Sequence, residues 1–181
     1  MSRLVRMLRS LGFGRLLSWR HLEKFEPAWG ERIRFMAQRI DASHKSVVDL
    51  GCGPQWLKGE LRPGVRYVGV DYRDRGPGTV VCDFNAGEFP SGEFDVAFVS
   101  GCMEYVEDWR WFVQMVCVAG RRVILSYCAL EAVPSISRRR EHAWRSDASR
   151  GQIEDEFARR GYRLRSRDQY DEMNTVFVFE R

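Results

Sequence analysis

The residues whose types and spacing could do chemistry begin in "SVVDLGCGPQWL", residues 46–57, where an apolar run ends on Asp49 and passes into Gly51-Cys52-Gly53-Pro54. Glycines there let backbone approach a ligand closely, and Asp49 can orient the turn or meet a cationic group. Asp71, 22 positions further on, closes a second apolar run. In a dinucleotide-type fold that is the place of the acid that accepts two hydrogen bonds from a ribose diol. Asp83, followed by Phe84, closes a third run, and a carboxylate beside a ring suits an exocyclic amine on a flat heterocycle. Phosphate is disfavoured. G-x-G-x-x-G would need glycine at position 56, which is Trp56, and no Lys-Ser or Lys-Thr pair follows to complete a P-loop. The same missing glycine argues against a nicotinamide-dependent oxidoreductase. Each aspartate alone also reads as an ordinary turn residue, and it is their joint placement that favours a ligand.

Positioning these residues requires strands that end together. "SVVDL" (46–50), "YVGVD" (67–71), "TVVCDF" (79–84), "FDVAFVS" (94–100) and "RVILSY" (122–127) are short β-branched runs, as in parallel strands buried on both faces. A helix is expected over 27–40, and another in "VEDWRWFVQMVCVAG" with Gly120 as its C-terminal cap. Ser149 and Gln152 form a capping-box pattern before a helix that stops at Gly161. "YRLRSRDQY" and "NTVFVFER", joined by "DEMN", read as an antiparallel hairpin. The fold class is therefore α/β: a doubly wound, mostly parallel sheet of about seven strands with an antiparallel C-terminal hairpin, plus N-terminal helices. Ligands of such a sheet bind beyond the carboxyl ends of the strands, here at 49–53, 71–72, 82–85, 100–105 and 126–128.

"VVDLGCGPQ", "YVGVD", "VVCDFN" and "FDVAFVSGCMEYVED", in this order and at these spacings, resemble the successive cofactor motifs of class I, Rossmann-like S-adenosylmethionine-dependent methyltransferases. The resemblance covers residues 46–128, and the terminal helix and hairpin look like that family's last two strands. It implies S-adenosyl-L-methionine as cofactor. Gly51, Cys52 and Gly53 would line its methionine and ribose part, with Asp49 in the same loop. Asp71 would hold the ribose hydroxyls with Tyr72 beside it, Asp83 the adenine amine and Phe84 the adenine ring. Ser100, Gly101, Cys102 and Met103 would stand beside the methionyl group and sulfonium. The chain departs from the pattern at Gln55, where many members carry a third glycine.

The acceptor side must come from outside those motifs. His142, in the irregular segment 129–148, is chosen as general base because an ordinary imidazole titrates near neutrality, with Glu104, Tyr105 and then Glu131 behind it. Arg138, Arg139, Arg140 and Arg145 make that segment basic, read either as a solvated charge run or as recognition of an acidic acceptor. A small-molecule, glycan or lipid-linked acceptor is expected. The alternatives are RNA or protein as substrate, and a catalytically silent subunit that binds a partner enzyme. A net charge of +4 and the lack of a legible recognition module do not indicate nucleic acid.

With 181 residues the chain suits a single domain: a basic helical extension (1–42), a cofactor core (46–128), an acceptor-side loop (129–148) and a terminal helix and hairpin (149–181). Five cysteines without a C-x-x-C pair argue for reduced thiols and a cytoplasmic location, and no metal site is expected. In the first turns Arg3, Arg6 and Arg9 share one helical face, and Leu4, Met7, Leu8 and Leu11 the other. A helix packed on the domain, a peripheral membrane contact through residues 1–25 and an organellar presequence all remain open there.

Overall fold

The computed structural model describes residues 25–181; the amphipathic segment at the N-terminus lies outside the described residues. The strands are β1 (Ser46–Leu50), β2 (Arg66–Asp71), β3 (Thr79–Val81), β4 (Phe94–Ser100), β5 (Gly120–Tyr127), β6 (Arg163–Gln169) and β7 (Thr175–Glu180), and the helices are α1 (Pro27–Ala37), α2 (Trp56–Glu60), α3 (Trp109–Ala119), α4 (Ile136–Glu141) and α5 (Arg150–Arg159). The seven strands form one sheet in the order β3-β2-β1-β4-β5-β7-β6. β1 to β5 are parallel, and β7 is antiparallel to both β5 and β6. The order reverses direction between β1 and β4, the point at which open parallel sheets bind ligands at their strand ends.

Apolar side chains on both faces explain why the central strands read as unbroken hydrophobic runs. On one face Val48, Leu50, Ala97, Val99, Val123 and Leu125 pack with Phe112, Val116, Ile153 and Phe157 of α3 and α5. On the other, Val47, Val96, Phe98 and Ile124 pack with Met36 of α1 and Leu57 of α2. Phe157 and Phe179 stack with ring centroids 4.0 Å apart, which ties α5 to β7. The capping box at Ser149 and Gln152 is present in both directions. In the hairpin the Asp171 carboxylate accepts the backbone N–H groups of Met173 and Asn174, so the polar connection is an Asx-type turn.

Three local differences from the sequence reading have physical causes. Gly120 does cap α3, its N–H donating to the Val116 carbonyl, but with an extended φ of −130°, and it is also the first residue of β5. A Cβ there would stand 2.6 Å from both Cβ and N of Ala97, so glycine lets β5 begin tight against β4. The third strand is only Thr79–Val81, because Asp83 leaves the ladder to cap a 3-10 turn at Phe84–Ala86 through its side chain. Finally, β2 passes to β3 through residues 72–78 with no helix. Parallel crossovers ordinarily take a dozen or more residues. Here Gly76 (φ +122°) and Gly78 (φ +85°) let the chain double back sharply.

Candidate active site

The glycine turn is held by β2. The N–H groups of Gly51 and Cys52 both donate to the Val70 carbonyl, at 2.8 and 2.9 Å, and the Gly53 N–H donates to Asp71 Oδ2 at 3.0 Å. Gly51 has a φ of +80°, and a Cβ on it would stand 2.7 Å from Cβ and Sγ of Cys102. Only glycine lets the loops after β1 and β4 touch. Gln55, the departure from the family pattern, keeps the left-handed conformation (φ +58°) that a glycine adopts freely. Its side-chain amide donates to Thr79 Oγ1 at 3.0 Å, which anchors the turn to β3.

Two carboxylates face this turn from the protein interior. Asp49 is buried, and its Oδ2 accepts the Tyr67 hydroxyl at 2.9 Å. Burial first, and then the Asp71 charge, push its carboxyl up to about 7. Asp71 Oδ1 lies 3.0 Å from Arg75 Nε, and the two side chains are only 7% and 4% exposed. The Arg75 guanidinium also lies 5.6 Å from the Tyr72 ring centroid and 5.7 Å from that of Phe25. Phe25 covers Gly53, whose Cβ would stand 2.5 Å from Phe25 Cε1, and its ring makes edge contacts with Trp29 and Trp56. Neither Tyr67, Arg75 nor Phe25 stands out in the sequence, because nothing in their spacing reports a partner brought by the fold.

At the end of β4, Ser100 Oγ accepts Arg32 Nε at 3.2 Å, and the Gly101 N–H donates to Ser126 Oγ at 3.0 Å. Arg32 Nη1 also donates to Asn174 Oδ1 at 3.0 Å, so α1, β4 and the start of β7 meet here. The strand ends therefore bring together Asp49, Gly51, Cys52, Gly53, Asp71, Tyr72, Ser100, Gly101 and Cys102. Two expected cofactor residues lie in the core. Phe84 is buried beside Phe89 and Phe112, with centroids 5.6 and 4.9 Å away in tilted contacts. Met103 is fully buried in the same cluster. Asp83 is exposed at the rim, where its carboxylate accepts the Asn85 N–H at 2.9 Å.

The acceptor side is more ordered than its sequence implies. Glu104 is 2% exposed; its Oε1 accepts the Cys128 N–H at 3.0 Å, while Oε2 has no hydrogen-bond partner among the described residues. Burial raises its carboxyl above the usual range. Its carbonyl accepts the N–H groups of Arg145 and Ser146, which ties the 129–148 segment to the 3-10 turn Met103–Tyr105 that follows β4. Tyr105 packs with Cys128, Val133 and Trp144, and burial pushes its phenol up. His142 stacks on Trp144 with centroids 4.7 Å apart, and its backbone N–H closes α4. Both Glu131 oxygens accept the Arg150 N–H at 3.0 and 3.1 Å, so that carboxylate serves the start of α5.

The basic run is corrected as well. Arg139 has 0% exposure: its Nε pairs with Asp147 at 2.8 Å, and its other nitrogens donate to the Cys128 and Ser146 carbonyls and the Tyr127 hydroxyl. Arg140 pairs with the same Asp147, and Arg145 with Glu107. Three of the four arginines are therefore engaged within the chain. Among the described residues no three His, Cys, Asp or Glu side chains come together as a metal site. No described helix is long and apolar enough to cross a membrane.

A sheet of this order with a glycine turn and two carboxylates at its switch point defines a nucleoside-binding α/β domain. The family model described as "Methyltransferase domain" matches residues 19–168, and the chain belongs to that family: it is a Rossmann-like S-adenosylmethionine-dependent methyltransferase domain. No curated protein matches it. Among solved structures it is similar to the magnesium protoporphyrin IX methyltransferase of Synechocystis PCC 6803 with bound SAH (S-adenosylhomocysteine), at 15% identity, covering 96% of each chain with a TM-score of 0.68. An O-methyltransferase from neocarzinostatin biosynthesis, in complex with S-adenosylmethionine and 2-hydroxy-5-methyl naphthoic acid, is 16% identical with a TM-score of 0.65, covering 95% of this chain and 60% of that one. PigF with SAH is 20% identical with a TM-score of 0.61, covering 83% of this chain, which spans only 54% of PigF.

The donor set fits this cofactor. A buried carboxylate closes β2 beside a turn whose residues 51 and 53 carry no Cβ. Phe25 lies against Gly53 and Arg75 beside Asp71, both on segments outside helices and strands.

Proposed function

We propose that the chain transfers the methyl group of S-adenosylmethionine to a small-molecule acceptor. The observation that carries this reading is the convergence of Asp49, Gly51 to Gly53 and Asp71 with Ser100 to Cys102 at the β1/β4 switch point. Asp71 would hold the ribose hydroxyls, the glycine turn the ribose and methionine, Tyr72 the nucleoside flank, Asp83 the adenine amine from the rim, and Ser100 to Cys102 the neighbourhood of the sulfonium. When bound, the cofactor supplies an electrophilic methyl group open to in-line displacement. The protein's part is to bind, orient and exclude water.

For the acceptor, Glu104 replaces His142 as the favoured proton-holding group. Its second oxygen is buried without a partner just beyond the β4 end, and burial raises its carboxyl above the usual range, which favours its holding a proton. His142 has a ring face spent on Trp144. Small-molecule acceptors are supported by the naphthoic acid bound to the neocarzinostatin enzyme and by the porphyrin substrate named for the Synechocystis one.

Calorimetry with SAH tests the cofactor half. Micromolar binding, no binding of NAD, and about 1–3 kcal/mol weaker binding by Asp71→Ala are expected. An affinity unchanged in Asp71→Ala would remove that residue from the ribose role. A screen of phenolic, carboxylic and amine acceptors tests the other half: Glu104→Gln should keep SAH affinity and lose turnover, and undiminished turnover would clear Glu104.

A further inference from the structure

Arg75 and Phe25 sit where a nucleoside would have to lie, and they satisfy the site in a nucleoside's manner. The flat guanidinium lies over the rings of Tyr72 and Phe25 and forms an ion pair with the Asp71 carboxylate, taking the places a stacked base and a ribose diol would take together. Asp71 has its remaining oxygen on the Gly53 N–H, and Phe25 closes the cluster over Gly53 itself. We propose that Arg75 and Phe25 form a built-in competitor for the cofactor, so that the described conformation is a closed state and cofactor entry requires both side chains to leave. The inference rests on the S-adenosylmethionine reading of the site.

Both residues stand on parts of the chain that can move without breaking regular structure. Arg75 lies in the 72–78 connection, just before Gly76 and Gly78 with their positive φ values, and its backbone is tied to Thr79 by one N–H bond of 3.2 Å to Oγ1. Phe25 precedes Glu26, whose backbone is extended (φ −83°, ψ 138°), and Pro27 fixes the start of α1 behind it. Swinging Phe25 away therefore leaves α1 intact, with Arg32 still on Ser100 and Asn174. A closed state of this kind lowers the apparent affinity by the fraction of molecules that are open.

The test is SAH binding by calorimetry, together with tryptophan emission, since Trp29 and Trp56 flank the Phe25 ring at 5.2 and 5.9 Å. Arg75→Gln and Phe25→Ala should each bind SAH about 5- to 30-fold more tightly than the unchanged protein, as expected when a desolvated cation–aromatic contact no longer holds the closed state. The faster association should account for most of the gain. SAH should shift the emission of the unchanged protein and of Arg75→Gln, and that shift should shrink in Phe25→Ala. Equal or weaker binding by both variants, with melting temperatures kept, overturns the proposal while leaving the cofactor reading standing. Binding of SAH by none of the three proteins overturns both.

Discussion

Arg139→Ala separates a buried structural cation from a solvated charge run. In the structure Arg139 is fully buried and reaches Asp147, Cys128, Tyr127 and Ser146. Removing it leaves the Cys128 carbonyl without that 2.7 Å donor in a place water does not reach. The Tyr127 hydroxyl keeps Ser146 and the Ala148 N–H, and Asp147 keeps Arg140, so those losses are partial. Breaking a buried pair by deleting one partner destabilises by roughly 3–5 kcal/mol. In a domain whose whole stability is about 5–15 kcal/mol that is a large share. At roughly 2–4 °C per kcal/mol for this size, the melting temperature should fall by about 6–20 °C. Arg138→Ala is the control: Arg138 is exposed, and its loss should stay within about 0.5 kcal/mol. Urea unfolding of both variants at pH 7 measures the difference. An Arg139→Ala stability within about 1 kcal/mol of the unchanged protein would refute the assignment of Arg139 as the organiser of the 129–148 segment.

Gly51→Ala should destabilise by about 2–4 kcal/mol in chemical denaturation, since it adds a left-handed alanine to a Cβ placed 2.7 Å from Cys102. Gly120→Ala should lose about 1–3 kcal/mol for a different reason, overlap with the β4 backbone at Ala97. Asp49 gives a pH dependence. Its carboxyl is raised from 3.8 to about 7 in the folded chain, so the native state binds the proton more tightly, and stability falls as pH rises from about 4 to about 7. Asp49→Asn keeps an acceptor for the Tyr67 hydroxyl and should flatten that slope. It should gain up to about 4 kcal/mol at neutral pH, at roughly 1.4 kcal/mol per pH unit, read from urea midpoints between pH 4 and 7.5.

Strand placement was legible because an apolar run reports burial on both faces, which β1, β4 and β5 have. Asp71 and the glycine turn were legible because strand ends in a parallel sheet converge by topology alone. Gly120 was legible as the end of α3 but not as the start of β5, because a helix end and a strand start both call for glycine, one for a positive φ and the other for close approach. Phe84 and Met103 could not be told from ligand contacts, since an apolar side chain at a strand end satisfies a core or a heterocycle equally well. Arg139 and Arg75 were illegible as individuals. A charge in a basic run looks solvated until distant carboxylates and hydroxyls are folded onto it, and those partners are tertiary.

The helix-free passage from β2 to β3 makes the two ends of the proposed pocket unequal in tolerance. The sulfonium end is walled by β1, β4 and β5 and by glycines with no room for a methyl group, whereas the nucleoside end is bounded by Phe25, the helix-free residues 72–78 and the rim at Asp83. Synthetic cofactors enlarged on the base should be accepted where those enlarged along the methionine chain are refused. The enzyme would then suit selective labelling in mixtures, with a base-modified donor that methyltransferases with a helix at that position turn away.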